Sequence, residues 1–381
     1  MAFALPAIGP EIAEDYDLSL AGLGLVLTAN VLGQGLSLFW VGVLVDRWGG
    51  RIPTLFGTSV AVAGLVAAAF ADSVITLFLA LFLAGCGASV IPIASMGAVF
   101  TVFPASRRAW ALGVRQMGVP MAGVVGAFLM PALESLGGVS LALLVCAGSA
   151  AGLGLLFFAY GSGIAQPSVN RYPLAQGVIR IVRAPGMGRL LVVAGFYIVV
   201  LQAALAYMVP AVRDAGMSPL WSSIVFFVMQ IGAAASRVIW GRIADLNNGN
   251  RRARTLVEAG YVSVIGAALL ASFLYAGTVA VLLVVAAFAL GSMGWNALVY
   301  VTAGERVPDG LKSQSVAVSA TVIFTVAAIS SPIMGAVASS LGWVGFWALC
   351  AGIALIGTML AHGLSGLNLQ GNGSNSTDRL D

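Results

Sequence analysis

Charged residues divide this chain into long apolar runs. Residues 18–45, 52–71, 73–106, 135–170, 190–212 and 215–236 contain no Asp, Glu, Lys or Arg. Each run can supply one helix of ~20 residues, the length that crosses a hydrocarbon core. Residues 116–133 predict another span, which extends back over Arg115. Residues 259–304 are long enough for two, with a turn at Tyr275-Ala276-Gly277-Thr278. Residues 313–377 hold two more, broken near Ser339-Ser340-Leu341-Gly342 and followed by a polar tail. The pattern therefore predicts eleven full spans. The runs are continuous and do not alternate, so they read as helices and exclude the strands of a closed barrel.

Composition narrows the class. Hydrophobic residues make up 60% of the 381, and charged residues only 8%, against ~25% in a soluble domain. No single core hides that much apolar surface, so a soluble globule, a disordered chain and a disulfide-stapled secreted fold are all excluded. The net charge of +4 could suggest nucleic acid, but the basic residues are spread thinly between apolar runs and fit membrane topology better. Cys86, Cys146 and Cys350 lie in apolar stretches and read as small hydrophobes, not metal ligands. No metal or cofactor is expected. The first residues lack a cleavable signal pattern.

Orientation follows from the basic residues. If the loop with Arg47 and Arg51 is cytoplasmic, alternation puts fifteen of the 18 basic residues on that side and only Arg213 opposite. That is a strong positive-inside bias. Glu11, Glu14, Asp15, Asp17, Asp72, Glu134 and Asp214 fall outside.

The chain also repeats. Gly42-x-x-x-Asp46 recurs as Gly241-x-x-x-Asp245. Pro104 before Arg107 and Arg108 recurs as Pro308 before Lys312, and Pro131 as Pro332. The three offsets fall between 199 and 204 residues, the order expected of two related halves. Between them lies a basic stretch, Gly161 to Arg189, with Pro167, Pro173 and Pro185. The expected domains are an N-terminal bundle at 1–160, a cytoplasmic linker at 161–189, a C-terminal bundle at 190–367 and a disordered tail at 368–381.

The segment Gly42-Val43-Leu44-Val45-Asp46-Arg47-Trp48-Gly49-Gly50-Arg51 resembles the loop between the second and third spans of the major facilitator superfamily. Gly50 departs from that pattern and removes one charge. Gly118, Pro120, Gly123 and Gly126 resemble the family's Gly/Pro-rich fifth span, and Glu305-Arg306-Val307-Pro308 the end of its tenth. The resemblance implies an all-α fold of two six-helix bundles with pseudo-two-fold symmetry. It also implies transport of a small solute by alternating access, with no enzymatic activity.

Numbered in family order, the first full run here is span 2. Span 7 has twenty residues before Pro210, whereas Pro6 has five. Roughly fifteen residues of span 1 are thus expected to be missing, and the start site to lie inside the true reading frame.

Candidate site residues follow from position and resemblance. Gly42, Asp46, Arg47, Gly49 and Arg51, with Gly241 and Asp245 in the second half, are the gating candidates. The resemblance implies charge contacts between helix ends that form in one state and break in another. They could equally serve only to fix topology. Arg115 stands about 9 Å inside span 5, where an arginine is costly and marks a functional site by default. It could fork onto an anion or snorkel to the surface. Gln116, Asn30, Gln34, Gln202, Tyr207, Gln230 and Asn296 are the other pathway candidates, the alternative being hydrogen bonds between helices. No Asp or Glu sits mid-span, and His362, the only histidine, lies late in span 12, so proton coupling has no support in these residues.

The expected cargo is a small organic anion. Efflux of an amphipathic compound is the alternative, favoured by Trp40, Tyr197, Tyr207 and Trp295; a non-transporting membrane sensor is another. A membrane enzyme would need a nucleophile–base pair or metal ligands that one histidine and three scattered cysteines do not supply. The expected setting is a bacterial inner membrane, with a monomer embedded in lipid and no nucleic-acid partner.

Overall fold

The computed structural model describes residues 4–48, 50–93, 95, 99, 103–160, 174–246, 251–308 and 311–365. Among them no strand occurs. A 3-10 turn, Leu5–Ile8, leads into α1 (Gly9–Asp15). Then follow α2 (Leu20–Trp48), α3 (Arg51–Ala69), α4 (Val74–Ala88) and α5 (Arg108–Tyr160). A short α6 (Leu174–Arg183) precedes α7 (Met187–Asp214), α8 (Pro219–Asp245) and α9 (Arg252–Phe273). Last come α10 (Thr278–Ser292), α11 (Asn296–Glu305) and α12 (Lys312–Ser365). The stretch expected to be a plain linker therefore contains a helix, and the second half starts at Met187, slightly earlier than Leu190.

An apolar run in lipid must satisfy its own backbone, and the helix does so without partners. Where spans start near the surface, side chains supply the missing acceptors. Ser73 caps α4 reciprocally: its Oγ accepts from Thr76 N at 3.3 Å, and Thr76 Oγ1 accepts from Ser73 N at 3.1 Å. Ser218 caps α8 just before Pro219.

Nine helical stretches among the described residues are long and apolar enough to cross a membrane. Two are double length. The 53 residues of α5 would run about 80 Å if straight, more than twice a ~30 Å core. Gly138 breaks α5 with φ +70°, and Gly342 breaks α12 with φ +65°, a left-handed conformation that a β-carbon disfavours. Each long helix is thus two limbs, giving eleven membrane-length limbs. The two breaks lie 204 residues apart, in step with the sequence repeat. In family order, α2 to α4 are spans 2–4 and the limbs of α5 are spans 5 and 6. Helices α7 to α9 are spans 7–9, α10 with α11 makes span 10, and the limbs of α12 are spans 11 and 12.

Span 10 departs from the expected continuous helix. It is interrupted between Ser292 and Asn296. Along the bundle, span 2 packs on span 11 and span 5 on span 8. Glycines let backbones meet: a Cβ on Gly113 would collide with the carbonyl of Arg237, and one on Gly241 with that of Ala109.

Candidate functional site

A cavity of about 380 Å³ lies between the two halves of the bundle. Asn30 and Gln34 reach it from span 2, Arg115 and Gln116 from span 5, Gln202 from span 7, and Asn296 from span 10. Six of the eight pathway candidates thus share one space. Most of the remaining lining is apolar, for example Leu201, Leu205, Ile323 and Phe324. A mainly apolar cavity of this size with a few convergent polar groups is typical of small-molecule sites.

Asn30 and Gln34 stand one turn apart on one helix face, where Gln34 Nε2 donates to Asn30 Oδ1 at 2.8 Å. Arg115 is held across the gap to span 4. Its Nε and Nη2 donate to Ser95 Oγ at 2.9 and 2.6 Å, and Nη1 donates to Gln116 Oε1 at 3.1 Å. All these acceptors are neutral, and among the described residues no carboxylate lines the cavity.

Arg237 was not among the candidates, yet it also lines the cavity and is only 1% exposed. Its Nη1 donates to the Gln116 carbonyl at 2.6 Å, so span 8 is tied to span 5; its Nε donates to the Met293 carbonyl at 3.1 Å. Met293 lies in the interruption of span 10, where that carbonyl has left the helical ladder. Tyr300 is the other lining residue with a polar side chain outside the candidate set, among the described residues. Depth could have flagged Arg237: it lies eight residues before Asp245, about 12 Å inside the span. Asn296 opens α11 at the same interruption, and its Oδ1 is buried without a hydrogen-bond partner.

Tyr207 and Gln230 do not line the cavity. Five residues separate Tyr207 from Gln202, which turns it ~140° around the helix. Its hydroxyl is shared by the Ser331 carbonyl at 2.7 Å and the Leu20 carbonyl at 3.1 Å, so it stitches spans 7, 11 and 2 together at the acid-rich end. Beside it, Arg213 Nη2 pairs with Glu11 Oε1 at 2.7 Å. These contacts tie that end together, whereas the cavity residues lie nearer the arginine-rich end. Gln230 shares the helix face of Arg237 but stands two turns further toward the acid-rich end, beyond the cavity.

Tyr207→Phe deletes one hydroxyl, worth about 1 kcal/mol or roughly fivefold in an opening equilibrium. The expected result is several-fold faster maleimide labelling of Ser331→Cys in a background without the native cysteines. Unchanged labelling would remove Tyr207 from that tie.

Of the gating candidates, Asp245 has the fullest set of contacts. It accepts from Ala109 N at 3.3 Å and Trp110 N at 2.8 Å at the start of span 5, and pairs with Arg252 at 3.1 Å. Arg252 also pairs with Glu305. Gly241 gives this junction its close approach. In the first half, Arg51 Nε donates to the Phe158 carbonyl at 2.8 Å, and its guanidinium lies 4.3 Å from the Phe158 ring centroid. Gly49 and the side chains of Asp46 and Arg47 lie outside the described residues, as does the tail; Gly42 is described only as part of α2.

Eleven apolar limbs, an internal repeat and a cavity between two packed pairs of spans define a polytopic helical membrane protein of the two-bundle kind. The chain belongs to the Major Facilitator Superfamily, whose family model matches residues 1–331. Mouse monocarboxylate transporter 11 is 26% identical over 62% of this chain and 54% of that protein. The hexuronate transporter of Bacillus subtilis is 31% identical over 32% of this chain and 29% of its own length. The chain spans about half the length of the monocarboxylate relatives it matches. Among solved structures, the human organic anion transporter MFSD10 (TETRAN) aligns with a TM-score of 0.70 at 16% identity, covering 89% of this chain and 84% of that one. A variant of the E. coli fucose:proton symporter FucP gives 0.66 at 13% identity, over 94% and 96%. At those identities the likeness establishes the fold.

Proposed function

We propose that this protein is a secondary transporter that moves a small organic anion by alternating access, and that it is not an enzyme. The observation that carries the reading is Arg115, an arginine inside the membrane, facing a cavity and held only by neutral acceptors. A cation inside the membrane with no carboxylate beside it among the described residues is costly, and an anion entering the cavity offsets that cost. Arg237 on the same wall and the amides of the lining would orient it. Relatives named for monocarboxylates and hexuronate, and a structural neighbour named for organic anions, agree with this chemistry.

Amphipathic efflux is less well supported. None of Trp40, Tyr197, Tyr207 and Trp295 lines the cavity. Trp40 is 66% exposed on the outer surface, and Tyr197 and Trp295 are buried edge-to-face against each other.

We assign 1–160 and 190–367 to the two bundles, 161–189 to the linker and 368–381 to the tail. The arginine-rich end faces the cytoplasm of a bacterial inner membrane, and the protein works as a monomer. Gating runs through Asp245 and Gly241 and, by repeat symmetry, through Gly42, Asp46, Arg47, Gly49 and Arg51.

The test is flux into proteoliposomes with monocarboxylates, hexuronates and neutral sugars. Saturable uptake of a carboxylate but not of the neutral sugars is expected. Carboxylate binding without flux would favour a sensor, and flux of lipophilic cations alone would favour the efflux reading.

A further inference from the structure

We propose that the groove between the arginine-rich ends of spans 5 and 8 is a binding site for the headgroup of an anionic phospholipid. A second cavity, about 370 Å³, lies there, lined by Ser106, Arg107, Trp110, Arg242, Asp245 and Leu246. Its carboxylate is already engaged: Asp245 accepts from the Ala109 and Trp110 amides and from Arg252. Those amides are two of the four free donors of the helix start, so Asp245 already takes up much of what the helix terminus offers a ligand. The two cations differ. Arg107 and Arg242 are exposed and make no ion pair among the described residues.

The surroundings say what kind of anion fits. Trp110 and Arg242 in the groove each stand one helical turn from an exposed apolar residue, Val114 and Ile239. Leu246 inside it is half-exposed, and Val114 and Ile239 continue an exposed apolar path along the spans away from it. Trp110 stands at the helix start, the depth that indole rings favour at a membrane interface. A freely soluble anion has no use for that apolar path, whereas a phospholipid fills both parts: phosphate between the guanidiniums and an acyl chain along the spans. Basic pockets between spans are known to hold anionic headgroups. Arg107 precedes span 5 and Arg242 ends span 8, so one phosphate would bridge the two halves at the seam that Asp245 already fastens. A lipid there would favour the conformation in which these ends meet.

The test is native mass spectrometry of the full chain in detergent with added phosphatidylglycerol, phosphatidylcholine or inorganic phosphate alone. Wild-type protein is expected to retain phosphatidylglycerol at least fivefold better than phosphatidylcholine. Arg107→Gln with Arg242→Gln should remove that preference, and each single variant should lower it. Arg180→Gln with Arg183→Gln, which removes equal charge from α6, should leave it intact. Equal retention by the Arg107/Arg242 double variant would overturn the site, as would an equal loss in the α6 variant. Retention of inorganic phosphate as strong as that of the lipid would make the ligand a soluble anion and also overturn the proposal. None of these readouts depends on transport, so the site can fail while the transport reading stands.

Discussion

Arg115→Ala is expected to weaken a transported carboxylate by roughly ten- to hundredfold, since a hydrogen bond to a charged group is worth about 1.5–3 kcal/mol. The loss should appear in the KM for uptake and in the Kd from ligand-induced thermal shift. Arg115→Lys keeps the charge but loses the planar fork, so it should fall between the two. The ligand-free protein should melt no lower than wild type. Ser95 keeps its own bond to the Ile91 carbonyl at 2.7 Å, and deleting an intramembrane cation that pairs with no carboxylate among the described residues removes a cost. Weaker binding with preserved stability separates a ligand contact from a scaffold role. An unchanged KM would end the assignment of this cavity to the substrate.

Asp245→Ala should have the largest conformational effect. The side chains of Asp245 and Arg252 are only 7% and 5% exposed, and breaking such a buried pair costs about 3–5 kcal/mol. Glu305 still pairs with Arg252, which points to the low end, near 3 kcal/mol. Two amides at the start of span 5 also lose their acceptor. The pair with Arg252 lies within the second half and is lost in every conformation, whereas the bonds from the Ala109 and Trp110 amides join span 5 to span 8. Their loss, about 1.5–3 kcal/mol for hydrogen bonds to a charged group, falls only on the conformation in which those ends meet. Its population should drop by roughly ten- to hundredfold. Spin labels on Ser106→Cys and Leu246→Cys would report it as a distance distribution shifted to longer values. Asp245→Asn, which keeps an acceptor without the charge, should shift it less. An unmoved distribution would show that Asp245 anchors loops without gating.

Much of this architecture was legible because lipid makes charge expensive: a gap between charges is nearly a span. The breaks at Gly277 and Gly342 fell within the expected turns. The break between spans 5 and 6 came at Gly138, four residues past the charge at Glu134 that marks the boundary in sequence. The interruption of span 10 was not foreseen, since Ser292 to Trp295 lies within an uncharged run; in the fold, Arg237 takes the Met293 carbonyl released there. Which amides face the cavity was only partly legible. The sequence lists polar groups along a span, but the rotation of each helix is set by packing, and in a helix apolar on all sides no stripe announces it. Gln202 and Tyr207 fell on opposite sides for that reason.

The glycine breaks at Gly138 and Gly342 also bear on how the chain is made. Each joins two membrane-length limbs with almost no loop, so little polar sequence is available to hold the far side after the first limb has crossed. Spans 5 and 6, and spans 11 and 12, should therefore enter the bilayer as paired hairpins with a glycine tip leading. Four of the eleven limbs would then be delivered in two insertion events, at equivalent points in each half of the chain.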